Sequence, residues 1–141
     1  MKRTLVCMLS LSLLGACSLA TDGEAREPGI VQSPHLTAPV LVAPSTVNAG
    51  QTFQVTVTTV GLSGCYRVGG ADVIYSATQA TVRPYDLIGN GGCTAATVML
   101  PRTVALHFDT PGTMKIVVEG QNDPSSGQTS IARVEQTVTV Q

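Results

Sequence analysis

From Gln51 to Val60 the chain alternates apolar and polar residues: Phe53, Val55 and Val57 are separated by Thr52, Gln54, Thr56 and Thr58. A period of two puts one set on each side of an extended strand. Burying each such apolar side chain is worth roughly 1.5–3 kcal/mol. A one-residue slip would expose all three, so the register is firmly specified. The alternation returns in Val104, Leu106 and Phe108, and again in Met114, Ile116 and Val118. At the C-terminal end Val134, Gln136, Val138 and Val140 share a side, with Gln136 the polar exception. Shorter extended pieces are predicted at 65–68, at 71–77 with Val73 and Tyr75 opposite Asp72, Ile74 and Ser76, and at 81–85.

Between these runs stand turn residues. Pro34, Pro39 and Pro44 break the entry into short edge pieces, because proline removes a ladder donor. Leu36, Val40 and Val42 are the inward candidates there. Turns are predicted at 48–50, at 61–64 and at 109–112, where Pro111 presets φ and Gly112 accepts a left-handed position. Gly69-Gly70 is either a turn or a bulge. Pro84 argues for a strand edge or end. Residues 86–92 form a glycine-rich loop and 120–129 a polar one, with a turn at Asn122-Asp123-Pro124. No longer stretch carries a helical period. About seven short strands, rich in Val, Thr and Gly, predict two packed antiparallel sheets.

The phrase S-T-V-x-A-G-x-T-F-x-V-x-V, followed by F-D-T-P-G-T-M-K-I-V-V, resembles bacterial immunoglobulin-like modules in strand rhythm across residues 40–140. The resemblance implies an all-β fold, an immunoglobulin-like antiparallel β-sandwich with Greek-key connections. The chain departs from the antibody framework. It has no tryptophan, Cys65 and Cys93 are closely spaced, and Met114 stands where a tyrosine corner would fall. A jelly roll or another Greek-key sandwich is the alternative.

The N-terminus differs from the rest. Lys2 and Arg3 precede an apolar run over residues 4–16, the layout of a signal peptide and too short for a membrane-spanning helix. Leu14-Gly15-Ala16-Cys17 resembles the bacterial lipoprotein signal. That resemblance implies cleavage before Cys17 and acylation of its thiol and freed amine, a firm membrane anchor because two acyl signals act together. The expected organisation is a signal peptide at 1–16, a lipidated cysteine with a flexible tether at 17–33, and the sandwich at 34–141. Ser18 resembles an outer-membrane sorting signal if the cell is Gram-negative. An ordinary secretory peptide cut after Ala20 is the competing reading. Beyond residue 16 the chain keeps six basic and nine acidic residues, a net charge of −3 with histidines neutral. That argues against a nucleic-acid partner.

Export also assigns the cysteines. Cys7 falls in the leader and Cys17 in the anchor motif, which leaves Cys65 and Cys93 as a structural disulfide. A redox pair wants Cys-x-x-Cys spacing, and a metal site wants convergent histidines, whereas His35 and His107 lie far apart in sequence. Met99, His107 and Met114 suggest a soft-metal set, but alternation turns His107 away from Phe108 and Leu106. No G-x-S-x-G elbow is present, and His107 with Asp109 reads as a pair of surface residues beside a turn. No catalytic residue, metal site or cofactor is therefore expected. The segment between the cysteines carries Tyr66, Arg67, Tyr75, Arg83 and Tyr85, residue types favoured at binding hot spots, and is the candidate binding surface. The expected function is a non-enzymatic cell-envelope lipoprotein with a structural or protein-interaction role. A peptide- or glycan-binding module built on the 65–93 segment comes second, and a small extracytoplasmic enzyme or copper-binding protein third.

Overall fold

The computed structural model describes residues 24–128 and 130–141. The leader and Cys17 lie outside the described residues. Ten strands form one mixed hydrogen-bonded sheet. They are β1 (Ala25–Pro28), β2 (Ile30–Gln32), β3 (Leu41–Val42), β4 (Thr46–Val47), β5 (Thr52–Gly61), β6 (Tyr66–Ser76), β7 (Gln79–Ile88), β8 (Val98–His107), β9 (Gly112–Asn122) and β10 (Ile131–Val140). A short 3-10 turn, Pro124–Ser126, joins the last two.

The sheet has two wings. One runs β6-β7-β9-β10, with β1 extending it beside β7 and β4 beside β10. The other consists of β8, β5 and β3. Strand β2 joins them: Ile30 pairs with Val60 of β5 and with Gln121 of β9. Side chains from both wings share one core, with Val55, Val57, Val104 and Leu106 from one and Val82, Met114, Ile116, Val118 and Val138 from the other. The alternation read from the sequence in β5, β8, β9 and β10 accounts for most of these residues.

Several expectations are corrected. The strands number ten among the described residues, rather than about seven, and they are not all antiparallel: β2–β9, β7–β9 and β4–β10 are parallel pairs. The tether expected over 17–33 does not hold for residues 25–32, which form β1 and β2, and Ile30 and Val31 are fully buried. In the entry segment Leu41 is buried and Val42 faces solvent.

Pro84 lies inside β7, not at an edge. In an extended residue N–H and C=O point to the same side, and the Pro84 carbonyl accepts from Gly29 N–H at 2.8 Å. On that side β7 changes partner, from β9 up to Val82 to β1 from Tyr85. The missing proline donor thus falls at a junction where the ladder is interrupted. Pro101 is tolerated for the simpler reason that, among the described residues, β8 pairs only with β5 and is an edge strand.

Gly69-Gly70 is a bulge. The β6–β7 register shifts between Val68 and Ala71, and Gly70 takes φ +96°, a conformation open to glycine. Asp86, expected in a loop, is the fully buried eighth residue of β7.

Two ends of the molecule follow from the pairings. Ala25 and Tyr66 both pair with Ile88, and Gly89 N–H donates to the Cys65 carbonyl at 3.1 Å. Chain entry and Cys65 therefore share one end. The turns after β6 and β8 lie at the other, where Gly50 N–H donates to the Phe108 carbonyl at 2.8 Å. From Tyr66 to Tyr75 the separation is roughly 30 Å at strand rise.

Candidate functional site

Cys65 and Cys93 are disulfide-bonded, with Cα atoms 5.2 Å apart. The bond pins the middle of the loop between β7 and β8 to the start of β6. Gly64 N–H donating to the Thr94 carbonyl at 3.0 Å adds a backbone tie at the same place. The loop itself is glycine-rich and exposed, so it has few apolar contacts of its own to hold it.

The five residues expected to form a binding surface are divided between the two faces of one wing. Residues paired across antiparallel strands point the same way. Arg67, Arg83 and Tyr85 take the outer face, while Tyr66 and Tyr75 take the core side. Each outer residue already has a partner. Arg67 pairs with Glu24. Arg26, from β1, lies 3.8 Å above the Tyr85 ring and pairs with Asp72 at 3.4 Å. Arg83 and Arg133 each take one carboxylate oxygen of Glu119, at 2.8 and 2.9 Å. Burial works against ionisation of Glu119, but the hydrogen bonds and charge of Arg133 and Arg83 outweigh it and hold its carboxyl below the usual value. With Lys115–Glu135 at 2.8 Å, this face is a lattice of cross-strand ion pairs.

Tyr66 stands at the disulfide end against Gly61, where a Cβ would collide with its ring. Burial, and after it the negative charges of Glu27, Asp86 and Asp123, raise its phenol above the ordinary value. Tyr75 stands at the opposite end, in different company. Its ring lies 4.9 Å from that of His107 and meets Phe108 edge-on at 6.4 Å and 89°. Its hydroxyl accepts from the His107 backbone N–H at 3.3 Å and lies 3.5 Å from His107 Nδ1. An open cleft of about 300 Å³ lies against this group, lined also by Asp109, Thr110 and Met114. Alternation along each strand separated His107 from Met114, yet the cleft takes both, because they come from two strands. Met99 is not with them: it pairs with Val60, eight residues back along β8.

The sequence reading missed two polar centres. Arg102 and Asp86, both buried, form an ion pair at 2.5 Å between β8 and β7. Arg102 also donates to the Gly70 carbonyl at 2.9 Å, to the Tyr85 carbonyl, and to Thr59 Oγ1, and Thr59 donates to Asp86 at 2.9 Å. One carbonyl lies in the β6 bulge and the other opposite it in β7, and Arg102 reaches both. A glycine pair next to a proline-interrupted strand, with a lone arginine in an alternating run, is the available sequence signal.

Asp123 is the second centre. It accepts from Ser33 Oγ at 2.6 Å and from Ser125 N–H and Oγ at 2.9 and 2.6 Å. Those hydrogen bonds, Ser125 first, hold its carboxyl below the ordinary value against the opposing effect of burial. They fasten the chain after β2 to the turn between β9 and β10. Among the described residues, no three His, Cys, Asp or Glu side chains gather as metal ligands.

Such an arrangement defines an all-β domain with a mixed sheet and one disulfide. No family model, curated protein or solved structure matches the chain.

Proposed function

We propose that the chain is a bacterial lipoprotein whose extracytoplasmic part is a non-enzymatic interaction module of immunoglobulin-like sandwich architecture. Cys17 carries the anchor. The partner is another envelope component: a protein, a peptide or a glycan. In a Gram-negative cell Ser18 directs the chain to the outer membrane.

The observation that carries this reading is where the chain enters the sheet. Eight residue steps separate Cys17 from Ala25, a reach of at most about 30 Å however they run. Ala25 enters beside the disulfide-bonded end. An anchor at Cys17 thus holds that end towards the membrane and leaves the end bearing Tyr75 and His107 facing outward. The disulfide itself suits an oxidising compartment. The two-wing core supports the sandwich architecture, with the parallel pairs as departures from the immunoglobulin pattern.

Labelling with a palmitate analogue tests the reading. The wild-type chain is expected to take the label and sediment with membranes. The Cys17→Ala variant is expected to lose both properties. A wild-type chain that takes no label and keeps residues 1–16 by mass would refute the anchor.

A further inference from the structure

We propose that the cleft beside Tyr75 is a saccharide site, taking one ring of a neutral glycan with Tyr75 as its stacking platform. The proposal deepens, and rests on, the reading of the domain as an outward-facing interaction module.

Tyr75 is a large ring left 41% exposed, yet it is held on two sides. Phe108 meets it edge-on, His107 packs against it, and its hydroxyl is tied to the backbone of β8. The ring is therefore oriented before any ligand arrives, which lowers the ordering cost of binding. The negative face of an aromatic ring attracts positively polarised edges, and the C–H face of a pyranose presents such an edge. Beneath it, Phe108 and Met114 are buried and make an apolar floor. Around it stand Ser76, His107, Asp109 and Thr110, all exposed. An apolar floor with a ring of hydroxyl, imidazole and carboxylate groups matches a ligand that is apolar on one face and hydroxylated at its rim. The volume of about 300 Å³ lies at the small end of ligand pockets.

Charge narrows the class. Among the described residues Asp109, like Glu27 and Asp123, forms no ion pair, whereas Glu24, Asp72, Asp86, Glu119 and Glu135 each hold a cation. An exposed carboxylate accepts from sugar hydroxyls and repels phosphate or acidic sugars, which favours a neutral over an acidic glycan. An extended peptide fits less well. Peptides that add to a sheet need free backbone groups at its edge. At this cleft the His107 N–H is already taken by Tyr75.

The full chain, in a detergent without a sugar headgroup, is to be titrated with maltotriose, cellotriose and N,N′,N″-triacetylchitotriose at millimolar concentration. Saturation-transfer NMR and the ring resonances of Tyr75 and His107 are the readouts. At least one sugar is expected to show transfer and to shift both rings. Tyr75→Ala should weaken that binding about tenfold or more, as loss of a central aromatic anchor does, while Tyr75→Phe retains most of it. Asp109→Asn, at an exposed position with no ion pair to lose, should weaken binding without altering the thermal transition. No transfer from any of the three sugars overturns the proposal. So does binding that survives Tyr75→Ala, or shifts of the same rings by tetra-alanine and by none of the sugars. Binding by a chain found unacylated at Cys17 keeps the site and retires the anchor; absence of binding by an acylated chain does the reverse.

Discussion

Replacing Arg102 by methionine tests how the two wings are held together across β7 and β8. Methionine keeps the apolar stem and removes the guanidinium. Asp86, 1% exposed, then keeps Thr59 Oγ1 as its donor at 2.9 Å. Removing one partner of a buried ion pair costs about 3–5 kcal/mol, because the other charge stays buried. The carbonyls of Gly70 and Tyr85 lose a donor as well, at about 1–3 kcal/mol each if they stay dry. These costs share one relaxation and do not add, so about 4 kcal/mol is expected. Small domains have only about 5–15 kcal/mol in total. With a urea slope of about 2 kcal/mol per molar, the unfolding midpoint should fall by about 2 M. Adding Asp86→Asn removes the stranded charge while keeping the side-chain shape, and the double variant should recover about half of the loss. A loss below about 1 kcal/mol for Arg102→Met, or a double variant as unstable as the sum of the two singles, would refute the view of this pair as a coupled buried centre.

Gly120→Ala would drive a Cβ into the Gly29 carbonyl and within 2.7 Å of Val31; about 2–3 kcal/mol of destabilisation is expected by urea unfolding, against little change for Gly91→Ala, where the space is open. Joint replacement of Cys65 and Cys93 by alanine opens a loop with a sequence separation of 28, a loss of about 3–4 kcal/mol on the chain-entropy relation, measured by comparing oxidised wild type with the variant. Asp123 and Glu119 have folded-state pKa values below their unfolded ones. Their contribution is complete above the unfolded values of about 4 and is lost as pH falls through the depressed folded values. Asp123→Asn should therefore unfold more easily at neutral pH and show a shallower loss of stability on acidification, read from urea midpoints across that range.

Strands that bury one clean face were legible in the sequence. Val55 and Val57, Leu106 and Phe108, and Ile116 and Val118 all lie in the core where alternation put them. Periodicity reports which side of a strand is buried but not which strand lies beside it, so the parallel pairs were invisible. Strand β1 escaped because all four of its residues are exposed: Arg26 packs over Tyr85 and pairs with Asp72 on the outer face, and leaves no apolar signal. Asp86 reads as the start of a loop and Arg102 carries no signal of its own, because their burial depends on a bulge 16 residues from one and 32 from the other. The candidate binding surface was legible as a set of residue types. Its division between two faces depends on parity through Gly69-Gly70, which composition does not carry.

Strand β2 also sets an order of events. Its partners are Val60, 30 residues later, and Gln121, 91 residues later. The hairpins β6–β7 and β9–β10 can zip by local search, but β2 has no complete seat until the chain has been made through Asn122. Such distant closures are slow. Although it leaves the ribosome early, this segment is therefore among the last to settle, and late protection of Ile30 and Val31 amides in pulse-labelled hydrogen exchange is its signature.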